Sequence, residues 1–134
     1  MVLPDTSVWV DFSRRGGKGK AAAMRDLLDA GEVVTCGPVV AELLAGAEGV
    51  VAERMWEMLS SLRWAELDAA GWQQVGLTAH RLRAAGTVLP LTDLTIAVAS
   101  ARAGHGLWSF DGDFERIAPA LEGLELYDPP PDLS

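Results

Sequence analysis

Apolar runs of strand length alternate with helix-length segments along the whole chain, and this alternation is what most constrains the fold. Val2-Leu3-Pro4 reads as an opening strand, Ser7 to Phe12 suits a short helix, and Lys20 to Ala30 suits a second with Met24, Leu27 and Leu28 on one face. Gly31 ends that helix and Val33-Val34-Thr35 makes the next strand. Pro38 fits the first turn of a helix through Val39, Val40, Leu43 and Leu44 to Gly46, because proline there lacks only a donor the helix leaves unused. Val50 to Leu62 continues helically, with Met55, Met58, Leu59 and Leu62 at helical steps, and Arg63 to Leu67 is a short strand.

The second half repeats the pattern. Trp72, Val75, Ala79 and Leu82 form one helical stripe ending at Gly86. The helix from Thr92 to Ala103 is apolar nearly all round, so it belongs between the sheet and a neighbour. Gly104-His105-Gly106 breaks it, Leu107 to Phe110 is a strand, Phe114 to Leu121 a short helix, and Leu124-Glu125-Leu126 a last strand. Strands separated by helices imply a parallel sheet with right-handed crossovers and helices on both faces. The 134 residues suit one domain, expected over 1–127. Asp128-Pro129-Pro130-Pro131-Asp132 cannot continue a ladder, so 128–134 is expected to be a mobile tail.

No apolar run approaches a membrane span, and the N-terminus lacks the basic segment and apolar stretch of a secretory signal, so a cytoplasmic protein without a membrane partner is expected. The single cysteine, Cys36, ends a strand and reads as a small buried hydrophobe.

Against this frame, Asp5, Glu42, Asp93 and Asp111 stand where a strand hands over to a helix or early on a helix. Ligands of open α/β sheets bind at the carboxyl ends of the strands, where these acids are expected to converge. Their mutual repulsion is tolerable only around a bound cation, which makes the chain a candidate metal-dependent phosphodiester hydrolase. Each acid also has an ordinary explanation. Asp5 and Asp93 suit helix caps, Asp111-Gly112 is a common turn pair, and Glu42 suits a surface charge. Glu42 is the hardest to explain so, because Val39, Val40, Leu43 and Leu44 surround it.

The net charge of -8 argues against a nucleic-acid partner, except that bound divalent cations reverse the local sign. The basic cluster Arg14-Arg15-Gly16-Gly17-Lys18-Gly19-Lys20 holds both lysines of the chain and reads either as a phosphate-gripping loop or as a solvated connection. Two other acid-bearing α/β classes fit poorly. A receiver domain needs a lysine late in the sheet, and no lysine follows Lys20; a haloacid-dehalogenase-type phosphatase needs a second aspartate two residues after the first, where this chain has Ser7.

The segments Val2 to Asp11, Val39-Val40-Ala41-Glu42-Leu43, Leu91 to Ala97 and Trp108-Ser109-Phe110-Asp111-Gly112-Asp113-Phe114, in that order, resemble the motifs of PIN-domain ribonucleases. Length and motif spacing resemble VapC-type toxins of toxin–antitoxin pairs, with the resemblance running from Val2 to about Leu126. One departure is Ser109, where the family usually has threonine; the hydroxyl is retained.

The resemblance implies a sheet of about five parallel strands and a type II toxin that hydrolyses RNA. Asp5, Glu42, Asp93 and Asp111 are then the catalytic ligands of Mg²⁺, with Mn²⁺ able to substitute. Thr6, Ser7, Thr92 and Ser109 are expected behind the acids, holding a carboxylate or water by hydrogen bonds, with Asp113 in the same supporting position. Arg14, Arg15, Lys18 and Lys20 are candidates for contact with RNA. Neither His80 nor His105 belongs to a motif, so proton transfer is expected through metal-bound water. The family also implies homodimers and a small DNA-binding antitoxin that wraps the toxin, with the Val50–Leu62 helix and the Trp9–Phe12 pair as docking surfaces or, equally, core. The alternative is a PIN-fold binding subunit of a DNA-binding regulatory complex, with little or no nuclease activity.

Overall fold

A computed structural model describes residues 1–131; 132–134, the end of the expected tail, lie outside the described residues. The strands are β1 (Val2–Pro4), β2 (Val34–Thr35), β3 (Arg63–Trp64), β4 (Gly106–Trp108) and β5 (Glu125–Leu126). Every pairing is parallel: β1-β4-β5 form one sheet and β2-β3 a second, joined by a single bridge from Val2 to Val33. The order across the molecule is therefore β3-β2-β1-β4-β5. The chain winds outward from β1 to β3, then returns to β4 and continues to β5. With right-handed crossovers, this reversal puts the helices on both faces and makes the β1–β4 junction the topological switch point.

The helices are α1 (Thr6–Arg15), α2 (Ala23–Asp29), α3 (Gly37–Ala45), α4 (Gly49–Ser61), α5 (Ala69–Ala84), α6 (Leu91–Ala103) and α7 (Asp113–Ile117). Gly16 ends α1 at φ 61°, a left-handed conformation that glycine adopts without steric cost, and its N–H caps the carbonyl of Phe12. The basic segment straddles that reversal, with Arg14 and Arg15 still in the last turn of α1. As its all-round apolar pattern predicts, α6 is buried continuously from Leu94 to Ser100. Leu3, Val34, Leu107 and Trp108 bring the sheet into the same core. Among the described residues, no helix is long and apolar enough to cross a membrane.

Two expectations are corrected. Trp72 is 56% exposed, because it stands in the first turn of α5 at the rim of a cleft beside Cys36 and Trp64, beyond the layer that covers Val75, Ala79 and Leu82. Glu42 is the sixth residue of α3, mid-helix rather than early, and is exposed.

Candidate active site

The register of β1 on β4 builds the site. Leu3 lies opposite Leu107 and Pro4 opposite Trp108, so the two strands end level, and the N–H of Asp5 donates to the carbonyl of Trp108 at 2.8 Å. Asp5 and the Ser109–Asp113 loop consequently leave the sheet side by side at its carboxyl edge.

Asp5 is only 5% exposed, and every contact it makes fixes it in place. Ser7 Oγ donates to its Oδ1 and Ser109 Oγ to its Oδ2, both at 2.5 Å, and the N–H of Val8 donates to Oδ1 at 3.3 Å as the helix cap. Cap and buried anchor are thus one carboxylate. Burial holds its pKa above the ordinary 3.8, and the bonds from Ser109 and Ser7 pull it partly back. The same hydroxyls accept in turn: Ser7 Oγ from the N–H of Phe110 at 3.0 Å, and Ser109 Oγ from the N–H of Asp111 at 2.9 Å.

Above this anchor, Asp93, Asp111 and Asp113 bring carboxylate oxygens within 4.8 Å of one another. Asp93 is the third residue of α6, whose N-cap is Pro90 without a side-chain bond, so the cap explanation for Asp93 fails. Its pKa is pushed up to about 6, first by burial and then by the charges of Asp111, Asp113, Glu42 and Asp5. All five acids therefore share one electrostatic site. Glu42 is held at its edge by Thr6, whose Oγ1 donates to Oε1 at 2.8 Å.

Asp113 departs from expectation, standing in the tight cluster rather than behind it. Its N–H donates to Asp111 Oδ1 at 3.0 Å, an aspartate turn that folds Asp113 back beside Asp111. The Asp111-Gly112-Asp113 spacing was the sequence signal for this. Asp113 also meets Arg116 at 3.5 Å, whereas no ion pair among the described residues reaches Asp93 or Asp111. Thr92 lies half-buried beside Asp93 and makes no side-chain hydrogen bond among the described residues.

The basic segment frames the acids. Arg14 lines a cleft with Thr6 and Glu42, and Lys20 stands over the Phe110 ring at 5.9 Å, one residue from Asp111. Arg15 is engaged elsewhere, with Asp11 at 3.0 Å, and Lys18 is exposed. His80 is exposed mid-way along α5, and His105 precedes β4 at the opposite, amino edge of the sheet, so neither reaches the cluster. Burial pushes the Cys36 thiol up to about 11, which makes it an inert core residue.

A set of crowded carboxylates, without soft ligands and with the pKa of Asp93 raised by burial and then by its neighbours' charges, fits a hard divalent cation. The family model for the PIN domain matches residues 2–119. The chain belongs to the PIN-domain family. Within it, the chain is of the VapC type. It is 34% identical over 125 residues to the VapC ribonuclease Mb1587 of Mycobacterium bovis, covering 88% of this chain and 92% of that protein. Ribonuclease VapC11 of Mycobacterium tuberculosis shows the same identity and coverage. Among solved structures, DNA-bound VapBC from Salmonella typhimurium superposes with a TM-score of 0.74 at 20% identity, over 95% of this chain and 96% of that one. VapC20 of Mycobacterium tuberculosis, a sarcin–ricin loop cleaving toxin, gives 0.65 at 19% identity over 87% and 94%. These two likenesses establish the PIN fold, whose switch point carries the acids described above.

Proposed function

We propose that this chain is a divalent-metal-dependent endoribonuclease, the toxin of a type II toxin–antitoxin pair, acting in the cytoplasm as a single nuclease domain over 1–127. The observation that carries the reading is the convergence of Asp93, Asp111 and Asp113 to within 4.8 Å at the switch point, in a chain 34% identical to proteins named as ribonucleases. Asp93, Asp111 and Asp113 would hold Mg²⁺ or Mn²⁺, with Asp5 and Glu42 completing its surroundings. Bound there, such an ion supplies Lewis acidity at the scissile phosphate and an activated water at neutral pH.

The chain's own residues do the rest. Ser7 and Ser109 hold Asp5 fixed beneath the cluster, and through their backbone acceptances they fix the loop that carries Asp111. Thr6 orients Glu42. Arg14, Lys18 and Lys20 draw the RNA backbone toward an edge that would otherwise repel it. Such preorganised charge lets the site stabilise a transition state without rearranging.

A partner fits the groove next to the cleft that Arg14 and Glu42 line, sharing Trp9, Leu43, Val51 and Met55 with it. Trp9, Phe12, Leu43, Val51, Met55 and Met58 line an apolar groove of about 410 Å³ between α1, α3 and α4. Val51 remains 59% exposed in it and Met58 36%. Trp9 itself is core, at 4%. We assign this groove to a small DNA-binding antitoxin, and the free toxin to a homodimer.

The test is incubation of the purified, antitoxin-free chain with total RNA in Mg²⁺, Mn²⁺ or EDTA. Cleavage that requires the ion supports the enzyme; no cleavage, together with intact antitoxin and promoter-DNA binding, returns the chain to a binding subunit of a regulatory complex.

A further inference from the structure

We propose that Phe110 is a stacking platform for the RNA base next to the cleaved phosphate. The inference rests on the nuclease reading above and adds to it where the base goes.

Three observations point to Phe110. The residue is 37% exposed in the loop that follows a core strand, directly before Asp111. The ring is also fixed. Trp108, 1% exposed, meets it edge-on at 6.0 Å with an interplanar angle of 86°, and the backbone N–H is tied to Ser7. A ring held this rigidly loses little entropy when a ligand stacks on it.

The second observation is the space beside the ring. Phe110 and Asp111 line a cleft of about 390 Å³ whose other walls include Phe114, Leu126, Tyr127 and Pro129. It opens between the loops following β4 and β5, at the same sheet edge as the acids. A phosphate at the carboxylate cluster would thus have the adjoining base within reach of an aromatic-walled cleft.

The third is charge. Lys20 Nζ stands 5.9 Å from the ring centroid, where an ammonium can meet a phosphate of the nucleotide whose base stacks there. Aromatic faces interleaved with cations are how sequence-tolerant binding of single strands is built, because every base has a π-face.

The experiment compares wild type, Phe110→Ala and Phe110→Trp on total RNA with Mn²⁺, with the cut ends mapped by sequencing and rates taken on the most strongly cut site. Phe110→Ala should raise KM about tenfold with kcat nearly unchanged, and should flatten the base preference at one position beside the cut. Phe110→Trp should restore both. Equal melting temperatures and equal Mn²⁺-induced shifts are expected for all three proteins. Wild-type cutting that Phe110→Ala leaves unchanged in KM and base preference overturns the platform. Absence of wild-type cutting overturns the nuclease reading itself and the platform with it.

Discussion

Ser109 and Asp5, 104 positions apart in the chain, are joined by a 2.5 Å hydrogen bond from hydroxyl to carboxylate. That bond ties the end of β4 to the end of β1 and leaves a buried aspartate with a donor on each oxygen. Of the Ser109 side chain, the hydroxyl makes these contacts, and threonine would retain it.

Ser109→Ala should therefore cost about 1–3 kcal/mol of stability, the penalty of leaving a buried acceptor unpaired. Ser109→Thr should cost much less. The pH dependence fixes the cause. Asp5 already has a folded pKa above its ordinary value, and losing a donor to the ionised form raises it further. The deficit of Ser109→Ala relative to wild type should be fully present above the folded pKa and shrink as pH falls through it. Thermal melts of the metal-free proteins across acidic pH measure this, and a pH-independent deficit would assign the loss to packing.

Asp93 gives a second pH-linked prediction. Its folded pKa of about 6 lies above the ordinary 3.8, so the metal-free fold gains stability as pH falls through about 6, with the gain complete below 3.8. Asp93→Asn removes one repelling charge with little change in shape. At neutral pH the metal-free variant should melt no lower than wild type, and its advantage should vanish in acid. It should also lose most of the Mn²⁺-induced rise in melting temperature and cleave RNA at least about 100-fold more slowly. Retained Mn²⁺ response and cleavage would remove Asp93 from the metal site.

Much of this arrangement was legible in the sequence, for identifiable reasons. The all-round apolar face of Leu94 to Ser100 has only one environment that suits it, and α6 lies there. Alternating strand and helix dictated parallel pairing, and Asp5 and Asp111 follow the apolar strands that end at the switch point. What the pattern did not carry is tertiary. The spacing of Trp72 matches its stripe, but periodicity does not reveal where a neighbouring layer stops, and this ring stands past that edge. Asp113 is brought to Asp111 by a turn hydrogen bond that composition leaves ambiguous, since an Asp-Gly-Asp segment turns with or without a ligand. Phe110 read as the last residue of a strand because exposure in a loop has no periodic signature.

Asp113 yields a paired prediction. If it is a ligand, Asp113→Asn should weaken Mn²⁺ binding about tenfold or more, measured by calorimetry. Arg116 now competes for that carboxylate at 3.5 Å. Arg116→Ala should leave Mn²⁺ binding equal or tighter, because it frees an oxygen and removes a nearby positive charge. Weaker Mn²⁺ binding in Arg116→Ala would mean that the arginine positions Asp113 for the ion.

The basic segment should separate by what each side chain already does. Arg15 is committed to Asp11 at 3.0 Å, a partly exposed helical pair, whereas Lys18 is exposed and Lys20 stands over Phe110 beside the acids. Replacing Arg14, Arg15, Lys18 and Lys20 together by Ala should leave the melting temperature nearly unchanged and weaken RNA binding at low salt. The slope of log affinity against log salt should flatten by about 0.7 for each RNA phosphate that the variant no longer neutralises. Of the single changes, Lys20→Ala should cost the most affinity and Arg15→Ala the least, because only the arginine must break an existing ion pair to reach a phosphate. Fluorescence anisotropy of a labelled single-stranded RNA, in a metal-free buffer that prevents cleavage, measures both quantities. Unchanged affinity and slope in the fourfold variant would show the segment to be a solvated connection.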